Sequence, residues 1–169
     1  MKLLKVACIS LLLFSGALVA KDIPNNNARD GLINLDEIAK KEAKVEKKHI
    51  MVFFHMTFCP YCIRMINNAF SDELAKKKMD KDYIFIDVNV DDEGEIQYKD
   101  FKGGKKDFAK SLAIGYYPSV VFIDGNNEIV YALKGYRKTE TFNHTLNYIT
   151  SKAYLNTDFA GYLFDVDVE

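Results

Sequence analysis

Two cysteines spaced three apart, in Cys59-Pro60-Tyr61-Cys62, are the residues of this chain whose type and spacing point most directly to chemistry. A thiolate attacks a disulfide sulfur, and a neighbouring thiol then displaces the captured partner. The pair follows an unbroken apolar run, Ile50-Met51-Val52-Phe53-Phe54, which reads as a strand covered on both faces. It leads into Ile63 to Phe70, spaced as a helix. Pro60 suits the first helical position, where its missing N–H leaves nothing unsatisfied. Cys59 then stands at the helix start and Cys62 one turn on, within the span a disulfide needs. The free N–H groups and dipole of a helix start favour thiolate at Cys59, the attacking form. Cys62, one turn deeper, suits the resolving role. The same spacing is open to a structural disulfide or half of a metal site; the strand–helix context favours redox chemistry.

Other elements must hold this pair in place. Asn34 is a plausible N-cap for a helix from Leu35 to Lys48, with Leu35, Ile38, Glu42 and Val45 on one face. Its many charges read as a solvated surface. Ser71 can cap a helix from Asp72 to Lys78. Tyr83 to Val90 alternates, with Ile84, Ile86, Val88 and Val90 on one face and Tyr83, Phe85, Asp87 and Asn89 on the other. Residues 91–104 read as an insertion that can fold as a short hairpin. Lys106 to Leu112 forms a short helix with Phe108, Ala109 and Leu112 inward. Val120 to Ile123 and Glu128 to Leu133 flank a turn with Asp-Gly chemistry. Thr139 can cap a last helix ending near Lys152, with Phe142, Leu146 and Ile149 inward. Strands alternating with helices and ending in a hairpin give an α/β chain with a central mixed β-sheet flanked by helices on both faces. The domain spans 34–152, and a tail, 153–169, packs on it with a short helix near Phe159 to Leu163.

The first twenty residues have a different character. Lys2 and Lys5 precede an apolar run, Val6 to Val19, and Ala20 offers a small residue for cleavage. This pattern reads as a secretory signal peptide, 1–20, followed by a polar leader, 21–33. The run is short for a retained membrane anchor, the other reading. Cleavage removes Cys8 and leaves one cysteine pair, so there is no disulfide framework and the remaining disulfide is the reactive one. It also removes two lysines and no acid, taking the net charge from −1 to −3. With a pI near 6.3 there is no electrostatic case for nucleic acid. The 49% hydrophobic content of 169 residues suits one domain with a full core.

Buried strand, C-P-Y-C, helix, strand, helix, Tyr117-Pro118 opening a hairpin, Gly135 and a final helix together resemble the thioredoxin superfamily, over about Leu35 to Lys152. The exported setting, F-F-H-M-T-F-C-P-Y-C and A-Y-L-N-T-D-F-A-G-Y-L look most like periplasmic thioredoxin-like proteins of the SoxW type. The Pro-Tyr dipeptide also resembles that of glutaredoxins. The resemblance implies a thioredoxin fold, with Cys59 attacking and Cys62 resolving. It implies that Pro118 follows a cis bond, which only X-Pro forms at small cost. The Tyr117 backbone would then pair with an extended substrate. The plain alternative for Pro118 is an ordinary strand-opening proline.

Four positions depart from the thioredoxin pattern. Phe53 stands where a buried acid is usual. Phe58 and His55 replace two tryptophans, and Asp87 replaces the lysine that faces the acid. Asp87 or His55 is therefore a candidate for proton transfer to and from Cys62; the plain alternative for each is a polar residue without a role. His49 and His144 read as surface residues. Metal binding needs two further ligands near the cysteines, and neither a metal nor another cofactor is expected.

The leading expectation is an exported, periplasmic thiol–disulfide oxidoreductase that reduces protein disulfides. Its substrates would be protein thiols and disulfides, and a membrane protein would donate or accept its electrons. Dithiol oxidation or isomerisation is the other enzymatic reading. A third is a peptide-binding adapter whose disulfide is incidental, with Phe58, Tyr61, Tyr116 and Tyr117 forming an apolar rim. On each reading the chain is expected to be a monomer.

Overall fold

The computed structural model describes residues 31–167. The expected signal peptide, 1–20, and residues 21–30 of the expected leader lie outside the described residues. The end of the expected leader is ordered as a strand, β1 (Leu32–Asn34). Asn34 accepts the Glu37 N–H at 3.0 Å and starts helix α1, residues 35–46. Lys47, at φ 57°, ends it.

The middle of α1, Ala39–Ala43, is wound as a π-helix. The wider turn puts the buried positions four apart, at Leu35, Ala39 and Ala43. Val45 is consequently 73% exposed, not inward as its spacing suggested.

The next strand, β2 (His49–His55), is the axis of the fold. It pairs in parallel with β3 (Tyr83–Asn89) and antiparallel with β6 (Ser119–Ile123). Strand β7 (Ile129–Lys134) completes the sheet, in the order β3-β2-β6-β7. A second sheet joins β1 to the hairpin β4 (Glu95–Tyr98) and β5 (Phe101–Gly104) in the order β1-β4-β5. Asp36 fastens the two halves: its carboxylate accepts the Lys99 N–H and the Asn127 side-chain amide.

Both faces of the central sheet are covered, as a run of apolar residues without alternation requires. Ile50, Val52 and Phe54 pack with Ile84, Ile86 and Val88 against α1 and α4 (Lys105–Ser111). Met51, Phe53 and Phe122 pack on the opposite side against three helices. These are α2 (residues 60–70), α3 (Glu73–Asp82) and α5 (Thr139–Thr150). Asp72, not Ser71, caps α3, because its carboxylate accepts the Ala75 N–H at 3.0 Å. Lys138 rather than Thr139 precedes α5, with no side-chain cap.

In the β6–β7 turn the positive φ falls on Asn127, not Gly125. Gly125 is required by proximity, since a Cβ there would lie 3.0 Å from the Lys44 Cα. After α5, helix α6 (Phe159–Asp167) lays Phe159 and Tyr162 on Tyr148, with ring centroids 5.3 and 5.2 Å away.

Candidate active site

Strand β2 delivers the chain to the cysteines. Cys59 is the N-cap of α2 and Pro60 its first residue. The two sulfurs are bonded, with Cα atoms 5.2 Å apart. Cys59 is partly exposed, whereas Cys62 is 1% exposed and belongs to the core beneath. The Cys62 N–H donates to Cys59 Sγ at 3.2 Å. A donor aimed at the outer sulfur stabilises negative charge there once the disulfide opens.

The approach to Cys59 is shaped by a loop. Phe58 sits at φ 44° and is 98% exposed. A bulky residue in the left-handed region is strained, and full exposure gives it no packing in return. The loop is braced from the end of β3. Asp91 Oδ2 accepts the Thr57 N–H at 2.9 Å, and the Asn89 side-chain amide donates to Thr57 Oγ1 at 3.0 Å and to Asp92 Oδ1 at 2.9 Å. Sequence reading missed this brace. Asn89, Asp91 and Asp92 mark a turn by composition, but the partner lies 34 residues away.

Pro118 lies at the same end of the sheet. Strand β6 begins beside the end of β2, with Ser119 opposite Phe54. The Tyr117–Pro118 bond is cis, and the Pro118 carbonyl accepts the Gly135 N–H at 2.8 Å. Tyr117 is half-buried and touches both cores. Tyr61 and Tyr116 are exposed; Arg64 lies over the Tyr61 and Tyr136 rings at 5.5 and 5.9 Å, a pairing the sequence did not suggest.

His55 and Asp87 are brought together. His55 Nε2 lies 2.8 Å from Asp87 Oδ1, a close contact without aligned hydrogen-bond geometry that becomes an ion pair when the imidazole is protonated. Burial pulls the His55 pKa down, but the Asp87 carboxylate outweighs it, with smaller help from the Met56 backbone and Asp92. The net shift is upward.

Phe53 fills the position of the missing acid. It stacks on His55 at 5.2 Å and meets Phe70 edge-on at 4.8 Å.

The other two histidines are not the surface residues that the sequence suggested. His49 is buried, 3.3 Å from the Tyr154 hydroxyl, and burial lowers its pKa. His144 is half-buried rather than on the surface. Among the described residues, no three His, Cys, Asp or Glu side chains gather as a metal site would require, and no helix is long and apolar enough to cross a membrane. A cavity of about 430 Å³ lies between β1 and α1, lined by Leu32, Asp36 and Lys40, on elements remote from the cysteines in the chain.

Residues 37–150, more than half of the chain, match the family model described as a thioredoxin-like domain. The chain belongs to that family. Among solved structures it is similar to a thioredoxin-fold protein from Helicobacter pylori, at 18% identity and a TM-score of 0.60, covering 79% of this chain and 95% of that one. It is also similar to a thioredoxin from Thermus thermophilus, at 23% identity and a TM-score of 0.55, covering 73% and 89%. At these identities the likeness concerns the fold. No curated protein matches the chain by sequence.

Proposed function

We propose that this chain is a thiol–disulfide oxidoreductase that reduces protein disulfides through a mixed disulfide at Cys59. One observation carries the reading: a partly exposed sulfur at a helix N-cap is bonded to a buried sulfur one turn along. Reduced Cys59 attacks a client disulfide, and Cys62 then displaces the client and re-forms the internal bond. Two electrons pass to the client, and a dithiol donor must restore the pair. Tyr117 and Pro118 would hold the client backbone, with Phe58 and Tyr61 against its side chains. The SoxW-like character, the periplasmic location after cleavage near Ala20, a membrane protein as redox partner and a monomeric state belong to the same proposal.

The test is equilibration of the Cys59–Cys62 pair with glutathione. A potential near about −270 mV marks a reductant, and one near about −120 mV marks an oxidant, the alternative enzymatic role. A pair that does not exchange would end the enzymatic reading.

A peptide-binding adapter is favoured by one feature, the exposure of the strained Phe58 together with that of Tyr61 and Tyr116. The Cys59→Ser/Cys62→Ser double variant separates the two. Lost function marks redox chemistry, and retained client binding with full function marks the adapter.

A further inference from the structure

We infer that the His55–Asp87 pair accepts the proton that Cys62 must lose before it can resolve the mixed disulfide. This inference rests on the redox reading above.

The resolving thiol has no direct way to release its proton. Cys62 is 1% exposed and shares its core with Met65, Phe70 and Phe142. Burial among apolar groups disfavours a thiolate. A titratable group within the fold must therefore take the proton. Alternate residues of β2 face this core: Met51 and Phe53 lie in it, so His49 and His55 point the same way. His49 sits six residues back along the strand, roughly 20 Å away, and is engaged by Tyr154. His55 ends β2 at the point from which the chain runs into Cys59.

Asp87 reaches the same place from β3. It is paired in register with Phe53 and shares its side of the sheet. The Phe53 ring stacks on His55 and belongs to the core that holds Cys62. The His55 and Asp87 side chains are 18% and 34% exposed. The pair thus spans from the buried side of the sheet to solvent.

The charges around the imidazole are acidic. Asp87 and Asp92 act on it directly, and Asp91 is committed to the Thr57 N–H. Arg64, the cation of α2, is stacked on Tyr61 and Tyr136. An imidazolium formed here is stabilised by the carboxylate beside it, which strengthens His55 as a base near neutral pH.

Cys59 thiolate attacks one client sulfur, the client disulfide breaks, and the freed sulfur takes a proton from solvent. Cys62 gives its proton to the His55 imidazole, and its thiolate attacks Cys59 Sγ. The Cys59–client bond breaks as the Cys59–Cys62 bond forms. The departing client sulfur then takes the proton back from the imidazolium.

Stopped-flow reaction of the reduced full chain with 5,5′-dithiobis(2-nitrobenzoate) tests this. The first equivalent of thionitrobenzoate reports attack by Cys59, and the second reports resolution by Cys62. The leaving group needs no proton, so the second phase isolates the loss of the Cys62 proton. In Asp87→Asn and His55→Gln the second phase should slow about tenfold or more near neutral pH, while the first changes less than about twofold. In His55→Gln its rate should then follow hydroxide concentration between about pH 5.5 and 8.5, without the wild-type inflection, and in Asp87→Asn the inflection should move to lower pH. If both variants keep the wild-type second phase and pH profile, the assignment is wrong. Equal slowing of both phases would make the pair merely structural and also overturn it. No thionitrobenzoate release by wild type would instead remove the redox reading itself. If one variant fails to fold, the other carries the test.

Discussion

The backbone N–H of Cys62 points at Cys59 Sγ from 3.2 Å, so the outer sulfur occupies the place an Asp or Ser oxygen takes at most helix starts. The same atom therefore caps α2 and performs the proposed attack. After reduction, Cys59 should be alkylated by iodoacetamide at least about tenfold faster than Cys62 at neutral pH, read by peptide mapping. Equal rates would contradict the separation of an outer from an inner sulfur.

The cap has a stability consequence of its own. A serine retains an acceptor for the Cys62 N–H, and an alanine does not. In a Cys62→Ser background, Cys59→Ala should be less stable than Cys59→Ser by about 1 kcal/mol in urea denaturation.

The His55–Asp87 contact makes folding stability depend on pH in a stated direction. The folded state raises the His55 pKa above its ordinary value of 6.5. The folded protein therefore holds that proton more tightly than the unfolded chain. The stabilisation is fully present below about pH 6.5 and is lost as pH rises through the raised value. Asp87→Asn should be less stable than wild type at low pH, with a gap that narrows above neutrality. Urea melts at several pH values would show it, and a gap that widened with rising pH would contradict the assignment.

Asp91 holds the Thr57 N–H and so helps impose the strained Phe58 conformation. Asp91→Ala should speed amide exchange at Thr57 by roughly fivefold or more. Disulfide turnover should fall while the two cysteines still oxidise. Unchanged exchange at Thr57 would mean that the loop holds its shape without the carboxylate.

Helix α6 is attached through aromatic contacts of Phe159 with Tyr131 and Tyr148, at 5.6 and 5.3 Å. Phe159 is half-buried, so Phe159→Ala should cost about 2 kcal/mol, at the low end for a large-to-small change. Thermal melting measures this. Exchange at Cys59 should be unaffected, because α6 packs beside β7 and α5 rather than at the end of β2.

Local residue patterns were enough to read the strand entering C-P-Y-C, the helix leaving it and the alternation that sends Asp87 and Phe85 to one side of β3. Each depends on residues within a turn or two of one another, and periodicity records such neighbours directly. Tertiary structure alone decided that His55 meets Asp87, that Asp91 braces Thr57, that His49 is buried and that 32–34 joins 95–104 in a second sheet. Those contacts depend on which strands pair and in what register. Register is fixed only when whole hydrophobic faces close on one another, and no local stretch of residues contains that information.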